Sequence, residues 1–439
     1  MKRTLLVALW LFGIAIMIFP SEPAFAVPSF SRQTGASCAA CHTSYPGLTA
    51  FGRQFKLNGY TSTNLSQIKV QPSRNMPGMS INQIPNLSLI VQTDESYLSK
   101  ALPGQDRTNA NFPKEFGVYY AGRITPHLGT FLQLTYDSED GISMDMSDIR
   151  YTGTTGKHLW GVDINNGPTF EDPWNSTPGY GWPYVENSTG VDPLVPFLAS
   201  EDIMTNVVGI GAYDYWNNKV YGYLGVYQSA KQGDTPAIYH AKQGDTPATG
   251  DTIRDAAPYW RFAWTPTDNL EIGTFGFYAK YLPDQTLFPT GNNQHILDTG
   301  LDSQYQIYKG NSIYTFHARY VREKRSDITN TPSLTTHFVN MDANWFYQHR
   351  YGLGAGLVLV RGDRSNFYST IDQDGFKTNS KPDTNGLTLQ ADYLPWENVR
   401  LSLQYTAYLK FNGSSKNYNA DGRNASDNNA VILNALLGF

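Results

Sequence analysis

Two cysteines three residues apart, followed at once by a histidine, are the side chains in this sequence best suited to chemistry. Cys38-Ala39-Ala40-Cys41-His42 sets two thiols one turn apart, within reach of the two vinyl groups of a haem, and puts an imidazole where it would serve as the proximal iron ligand. The 439-residue chain has no other cysteine. A disulfide or redox dithiol uses the same spacing, and so does half of a zinc site. Zinc would need a further Cys/His cluster that the chain lacks, and a thioredoxin-like site would need βαβ patterning. The expectation is one covalently bound haem c, held by Cys38 and Cys41 with His42 below the iron.

A haem that only transfers electrons takes a sixth ligand, ordinarily Met or His. Met76 and Met79 lie in a turn-rich stretch, Arg74 to Met79, that would fold back over the haem as its distal side. Gap-filling by a flexible thioether is the competing reading of the pair. His317 is a weaker candidate, and His127, His158 and His349 fall in or near short connections and read as surface residues.

The elements that must hold this site begin with an export signal. Lys2 and Arg3 precede an apolar run from Leu5 to Phe19 and an Ala24-Phe25-Ala26 cleavage pattern, so residues 1–26 read as a signal peptide. Its removal takes away Lys2, Arg3 and Glu22, leaving 31 basic and 37 acidic residues, which makes nucleic acid an unsuitable partner. Residues 27–75 form the haem segment. They carry Pro46, Leu48, Phe51, Phe55, Leu57 and Tyr60, enough to cover a haem but too few for an independent core.

From about residue 80 to 439 the pattern changes to alternation. In Val399 to Lys410 the apolar Val399, Leu401, Leu403, Tyr405 and Leu409 share one face, and Arg400, Ser402, Gln404 and Lys410 the other. Trp260, Phe262 and Trp264 likewise oppose Arg261, while Gln390, Asp392, His317 and Arg319 point inward in their own stretches. The 29 Tyr, 22 Phe, 9 Trp and 39 Gly, with charged residues at 16%, fit a transmembrane barrel in which every second residue faces lipid. About sixteen such stretches can be counted, a number of porin size. Short turns such as Trp216 to Lys219 and Pro395 to Asn398 alternate with long polar loops, among them 165–202, 228–256 and 361–384. A sandwich or propeller has no reason to sort its loops this way, so the expected fold is all-β: an outer-membrane antiparallel barrel with long loops outside and short turns in the periplasm. The loop at 228–256 holds a tandem duplication, Ala230 to Ala237 recurring as Ala241 to Ala248, and the chain ends on an alternating strand with an aromatic terminus, Phe439.

Pro28, Phe30, Arg32 and Gln33 before the motif, with Pro46, Leu48, Gly52, Phe55, Gly59 and Tyr60 after it, resemble the fused monohaem cytochrome-porin family, whose best-known members are outer-membrane iron(II) oxidases. The resemblance covers about one-tenth of the chain. It implies that extracellular Fe(II), or another electron donor, reduces the haem and that a periplasmic c-type cytochrome removes the electron; an enzyme of this type would be an iron(II):cytochrome c oxidoreductase. A conduit for a different extracellular donor or acceptor, and a diffusion porin with a haem plug, are the alternatives. An even strand number puts both barrel termini in the periplasm, so the haem segment is expected in or beneath that mouth of the lumen. No catalytic acid or base stands out, and outer-sphere electron transfer needs none. Acidic loop residues Asp137, Glu139 and Asp140 offer hard oxygen ligands of the kind Fe(II) accepts.

Overall fold

A computed structural model describes residues 28–61, 70–73, 76–82, 86–137, 141–177, 189–199, 207–232, 235–236, 252–282, 294–328, 331–368 and 380–439. The expected signal peptide, residues 1–26, and most of the duplicated loop lie outside these residues. The wall is built from β1 (Leu87–Leu98), β2 (Thr108–Arg123), β3 (Leu128–Asp137), β4 (Gly141–Thr155), β5 (His158–Asn165), β6 (Val207–Trp216), β7 (Val220–Ser229) and β8 (Ala257–Thr267). It continues through β9 (Leu270–Leu282), β10 (Gln294–Lys309), β11 (Ser312–Ser326), β12 (Leu334–Tyr347), β13 (Tyr351–Gly362), β14 (Thr384–Trp396), β15 (Val399–Lys410) and β16 (Ala430–Gly438). Each strand pairs antiparallel with the next, and β16 pairs with β1, so the sixteen form a closed ring. Phe439 completes the seal by exchanging backbone hydrogen bonds with Leu89 at 3.1 and 2.8 Å. Closure leaves the ring itself without a free edge strand among the described residues, which is the condition for a sheet to stand in lipid.

Side chains follow the period of two. On β10, Asp298, Asp302, Gln304 and Gln306 are buried toward the lumen, while Leu301 is 58% exposed on the outside. Leu224 and Leu353 are exposed on the same outer surface. Covering each such leucine with hydrocarbon contributes roughly 1.5–3 kcal/mol, so this outer face fits a bilayer and not water. Trp216, Trp264, Tyr151, Tyr305, Tyr347 and Tyr351 ring the short-turn end, an aromatic belt at one membrane interface. Among the described residues no helix is long and apolar enough to cross a membrane, and the crossing falls to strands.

All sixteen expected stretches are strands, but three details differ. The first wall strand begins at Leu87, later than the start of alternation expected at about residue 80, and a separate hairpin of Val70–Ser73 with Met76–Asn82 precedes it. The strict alternation of long and short connections fails between β3 and β4, which run to Asp137 and resume at Gly141. Backbone pairing carries these two strands, and also β11 and β12, further than their apolar alternation does. Lastly, the 165–202 connection does not stay outside. Its Pro168–Glu171 3-10 turn and the residues through Thr177 are buried against the inner wall.

The lumen also holds the N-terminal segment, in three short helices: α1 (Pro28–Thr34), α2 (Cys38–Cys41) and α3 (Ala50–Leu57). Gln33 Nε2 donates to Ala121 O on β2 at 2.9 Å, the Tyr60 hydroxyl donates to Asp148 on β4, Tyr213 on β6 donates to Leu57 O at 2.6 Å, and Gln306 on β10 donates to Leu48 O at 2.9 Å. Partners on strands so far apart around the ring place this segment across the lumen. Arg53 bonds the carbonyl of Asp268 in the β8–β9 turn, which sets the segment at the short-turn end. Gly129 is required there, since a Cβ on it would lie 1.8 Å from the Gly59 carbonyl. Phe30, Phe55 and Tyr60 pack together and onto Phe131 of β3, with ring centroids 5.0–6.4 Å apart.

Candidate functional site

The Cys-x-x-Cys-His stretch forms one helical turn, α2, closed by a bond from His42 N to Cys38 O at 2.9 Å. Thr49, which caps α3 by accepting from Gly52 N at 3.1 Å, also donates its hydroxyl to Ala40 O at 2.5 Å. The two helices therefore share a joint. Gly52 permits it, because any Cβ there would meet Cys41 O at 2.2 Å. The intervening loop turns through Tyr45-Pro46-Gly47, and His42 Nδ1 lies 3.3 Å from Pro46 O. That contact fixes the ring so that Nε2 is the atom left for a metal, the usual arrangement of a ligating histidine.

Both thiols are free and half-buried. Burial raises the Cys38 pKa, with the Glu397 carboxylate adding to it, and pushes the Cys41 thiol up to about 11. A redox-active dithiol needs the opposite shift, because the thiolate is the reacting form. Burial lowers the His42 pKa and keeps the imidazole neutral, as an axial ligand must be. Beside it, Thr43 Oγ1 and Ser44 Oγ are buried without a hydrogen-bond partner, polar atoms that a bound polar group or water would satisfy. Two thiols one turn apart beside an oriented imidazole form a donor set that fits a covalently held haem.

Glu397 is the residue the sequence reading missed. It sits in the β14–β15 turn, accepts from Cys38 N through Oε2 at 3.0 Å, and takes the Cys38 S–H on its backbone carbonyl at 3.2 Å. Nothing in its local sequence marks it, since its partner is 359 residues away.

A second polar centre ties the inward loop to the segment and the wall. Asp172 accepts from Trp174 N at 2.9 Å and Thr177 N at 2.5 Å, which shapes the loop. Arg261, inward as expected, bridges Asp172, Glu271 and Asp302 at 3.1, 2.7 and 2.8 Å. These three carboxylates form the one group of potential metal ligands among the described residues, all within 4.8 Å, but the guanidinium already lies on all three. Arg150 similarly joins Asp148 at 2.6 Å and Glu171 at 2.8 Å. Lys56 of α3 donates to Asp172 O and Asn175 Oδ1 at 2.6 and 2.7 Å, and Arg53 lies 3.5 Å over the Trp174 ring.

Met76 and Met79 lie on the hairpin strand Met76–Asn82, and their side chains are outside the described residues, as are those of Asp137, Glu139 and Asp140. His317 is inward but committed through Nδ1 to Asp342 at 2.6 Å. His127 and His158 are exposed, as expected, with His158 paired to Asp214 at 2.8 Å; His349 is half-buried in the β12–β13 turn.

The geometry defines a class: a closed sixteen-strand membrane barrel whose lumen carries a Cys-x-x-Cys-His turn. Solved structures it is similar to include OmpF of Salmonella typhi in complex with daunomycin, at TM-score 0.49 and 12% identity over 82% of this chain and 98% of that one. Others are an anion-selective porin from Comamonas acidovorans (0.48, 12%, 80% and 98%) and the outer membrane channel DcaP of Acinetobacter baumannii (0.46, 13%, 80% and 96%). No protein-family model matches the sequence, and no curated protein does.

Proposed function

We propose that this protein is an outer-membrane electron-transfer protein, a haem c-bearing segment set in a porin-like barrel, which takes electrons from an extracellular donor and hands them to a periplasmic c-type cytochrome. The observation that carries the reading is the turn holding two free thiols and a ring-oriented imidazole, docked at the short-turn end of the lumen. Bound there, a haem supplies a one-electron carrier. The chain's own residues do the rest. Cys38 and Cys41 anchor the group, His42 Nε2 offers the proximal ligand, and Pro46 O orients that ring. The wall separates the site from lipid, and short periplasmic turns leave that mouth open to a soluble partner. Fe(II) is the donor that the family resemblance of Pro28 to Gln33 and Pro46 to Tyr60 implies.

The decisive experiment mixes purified, haem-stained protein in detergent with anaerobic Fe(II) and follows the reduced haem bands. Reduction is the expected result; failure across a range of pH removes iron from the proposal. A diffusion channel is the second reading, favoured by the polar inner wall of a sixteen-strand ring. It predicts solute flux in liposomes with no Fe(II)-linked reduction.

A further inference from the structure

The β14–β15 turn is tied to the last strand by two hydrogen bonds. Gly438 N donates to Asn398 O, and Asn398 Nδ2 donates to Gly438 O, both at 2.8 Å. Just before the turn the β14–β15 register shifts between Tyr393 and Trp396, an irregularity of the kind that bends a strand and re-aims its side chains. Glu397 is presented from this anchored point. It meets Cys38 twice, by carboxylate to N–H and by carbonyl to S–H.

We propose that Glu397 is a positioning residue for the haem: its carboxylate docks the first attachment cysteine against the barrel wall and holds a negative charge beside the cofactor that lowers its reduction potential. The proposal rests on the haem reading above. The two contacts have different fates. A thioether at Cys38 removes the S–H and with it the bond to the Glu397 carbonyl, whereas the charge-assisted bond from Cys38 N to Oε2 needs no thiol and persists. A carboxylate fixed there favours the ferric form, which carries one more positive charge than the ferrous form. The same contact explains how a segment with little core of its own keeps α2 in register with the wall.

The test compares haem-loaded wild type, Glu397→Gln and Glu397→Asp by spectroelectrochemical titration. Glutamine keeps an acceptor for Cys38 N and the backbone carbonyl, and it removes only the charge. The expected result is an upward shift in Glu397→Gln, by up to about tenfold in the ferrous-to-ferric equilibrium or ~59 mV for one electron, with aspartate restoring most of it. Asp214→Asn, exposed at the end of β6 on the opposite side of the ring, leaves the potential unchanged. Haem-stained Glu397→Gln with the wild-type potential overturns this proposal alone. Wild-type protein without covalent haem stain overturns the haem reading, and this proposal with it.

Discussion

On β15, Leu403, Tyr405 and Leu409 turn outward and Ser402, Gln404 and Tyr408 turn inward, and fifteen other strands repeat that division around the ring. Within the lumen no such repetition exists. Arg261 joins the inward loop to β9 and β10, Arg150 joins it to β4, Lys56 ties it to α3, and Glu397 joins the cysteine turn to the β14–β15 turn. A wall stabilised by many equivalent apolar contacts and ladder hydrogen bonds tolerates the loss of any one of them. Lumen contents held by a few specific polar contacts are more sensitive, because a buried charge left without its partner keeps its full desolvation cost. Substitutions within the lumen should therefore detach or empty its contents while the wall survives.

The largest effect belongs to the attachment residues. In Cys38→Ala/Cys41→Ala, haem stain in denaturing gels is expected to fall to background, while heat-dependent gel mobility, the signature of a folded barrel, stays as in wild type. Stain that persists at the wild-type level would remove these two cysteines from the site. Loss of barrel mobility along with the stain would mean that the wall depends on its contents, against the contrast drawn above.

Next in size is Arg261→Gln. It leaves Asp172, Glu271 and Asp302 within 4.8 Å of one another without their common cation, at a cost of about 3–5 kcal/mol. Since Asp172 also shapes the inward loop, the expected outcome is protease cleavage within 166–177 and a rise in single-channel conductance, with the folded mobility retained. Conductance and cleavage equal to wild type would show that the loop is held by its apolar contacts, chiefly Phe170 and Trp174, and not by the charge network.

These contrasts also account for what the sequence revealed. A strand announces itself every two residues, so β15, with Ser402 and Gln404 in and Leu403 and Tyr405 out, was legible, and so was the alternating last strand that ends at Phe439. The Cys-x-x-Cys-His turn could be picked out because its five residues are adjacent in the chain. Asp172 was not, lying in a connection whose Gly, Pro and Asn content reads as a solvated loop. Its burial follows from Arg261 and Lys56, 89 and 116 residues distant. Glu397 was hidden for the same reason. Single long-range polar contacts leave no periodic trace.

The smallest expected effect isolates one of them. Lys56 is 4% exposed on α3, and its pKa is lowered to about 7, first by burial and then by the Arg150 charge, with Asp172, Glu171 and Asp148 pulling the other way. In the undocked segment the same amine has a pKa near 10.4. Between these values the undocked state binds more protons than the docked one, so docking strengthens as pH rises through 7; below 7 both states are protonated and the docked state bears the full cost of a buried ammonium. The gain is on the order of 2 kcal/mol between pH 7 and 9. Hydrogen exchange of residues 48–61 read over that range should show protection increasing with pH. Lys56→Met keeps the chain length and apolar stem and has no proton to lose, so its protection should lose this pH dependence. A slope unchanged in Lys56→Met would assign it to another buried group and leave Lys56 as a hydrogen-bond donor to Asp172 and Asn175 only, whereas a flattened slope would show that one amine sets how tightly the segment sits in the lumen.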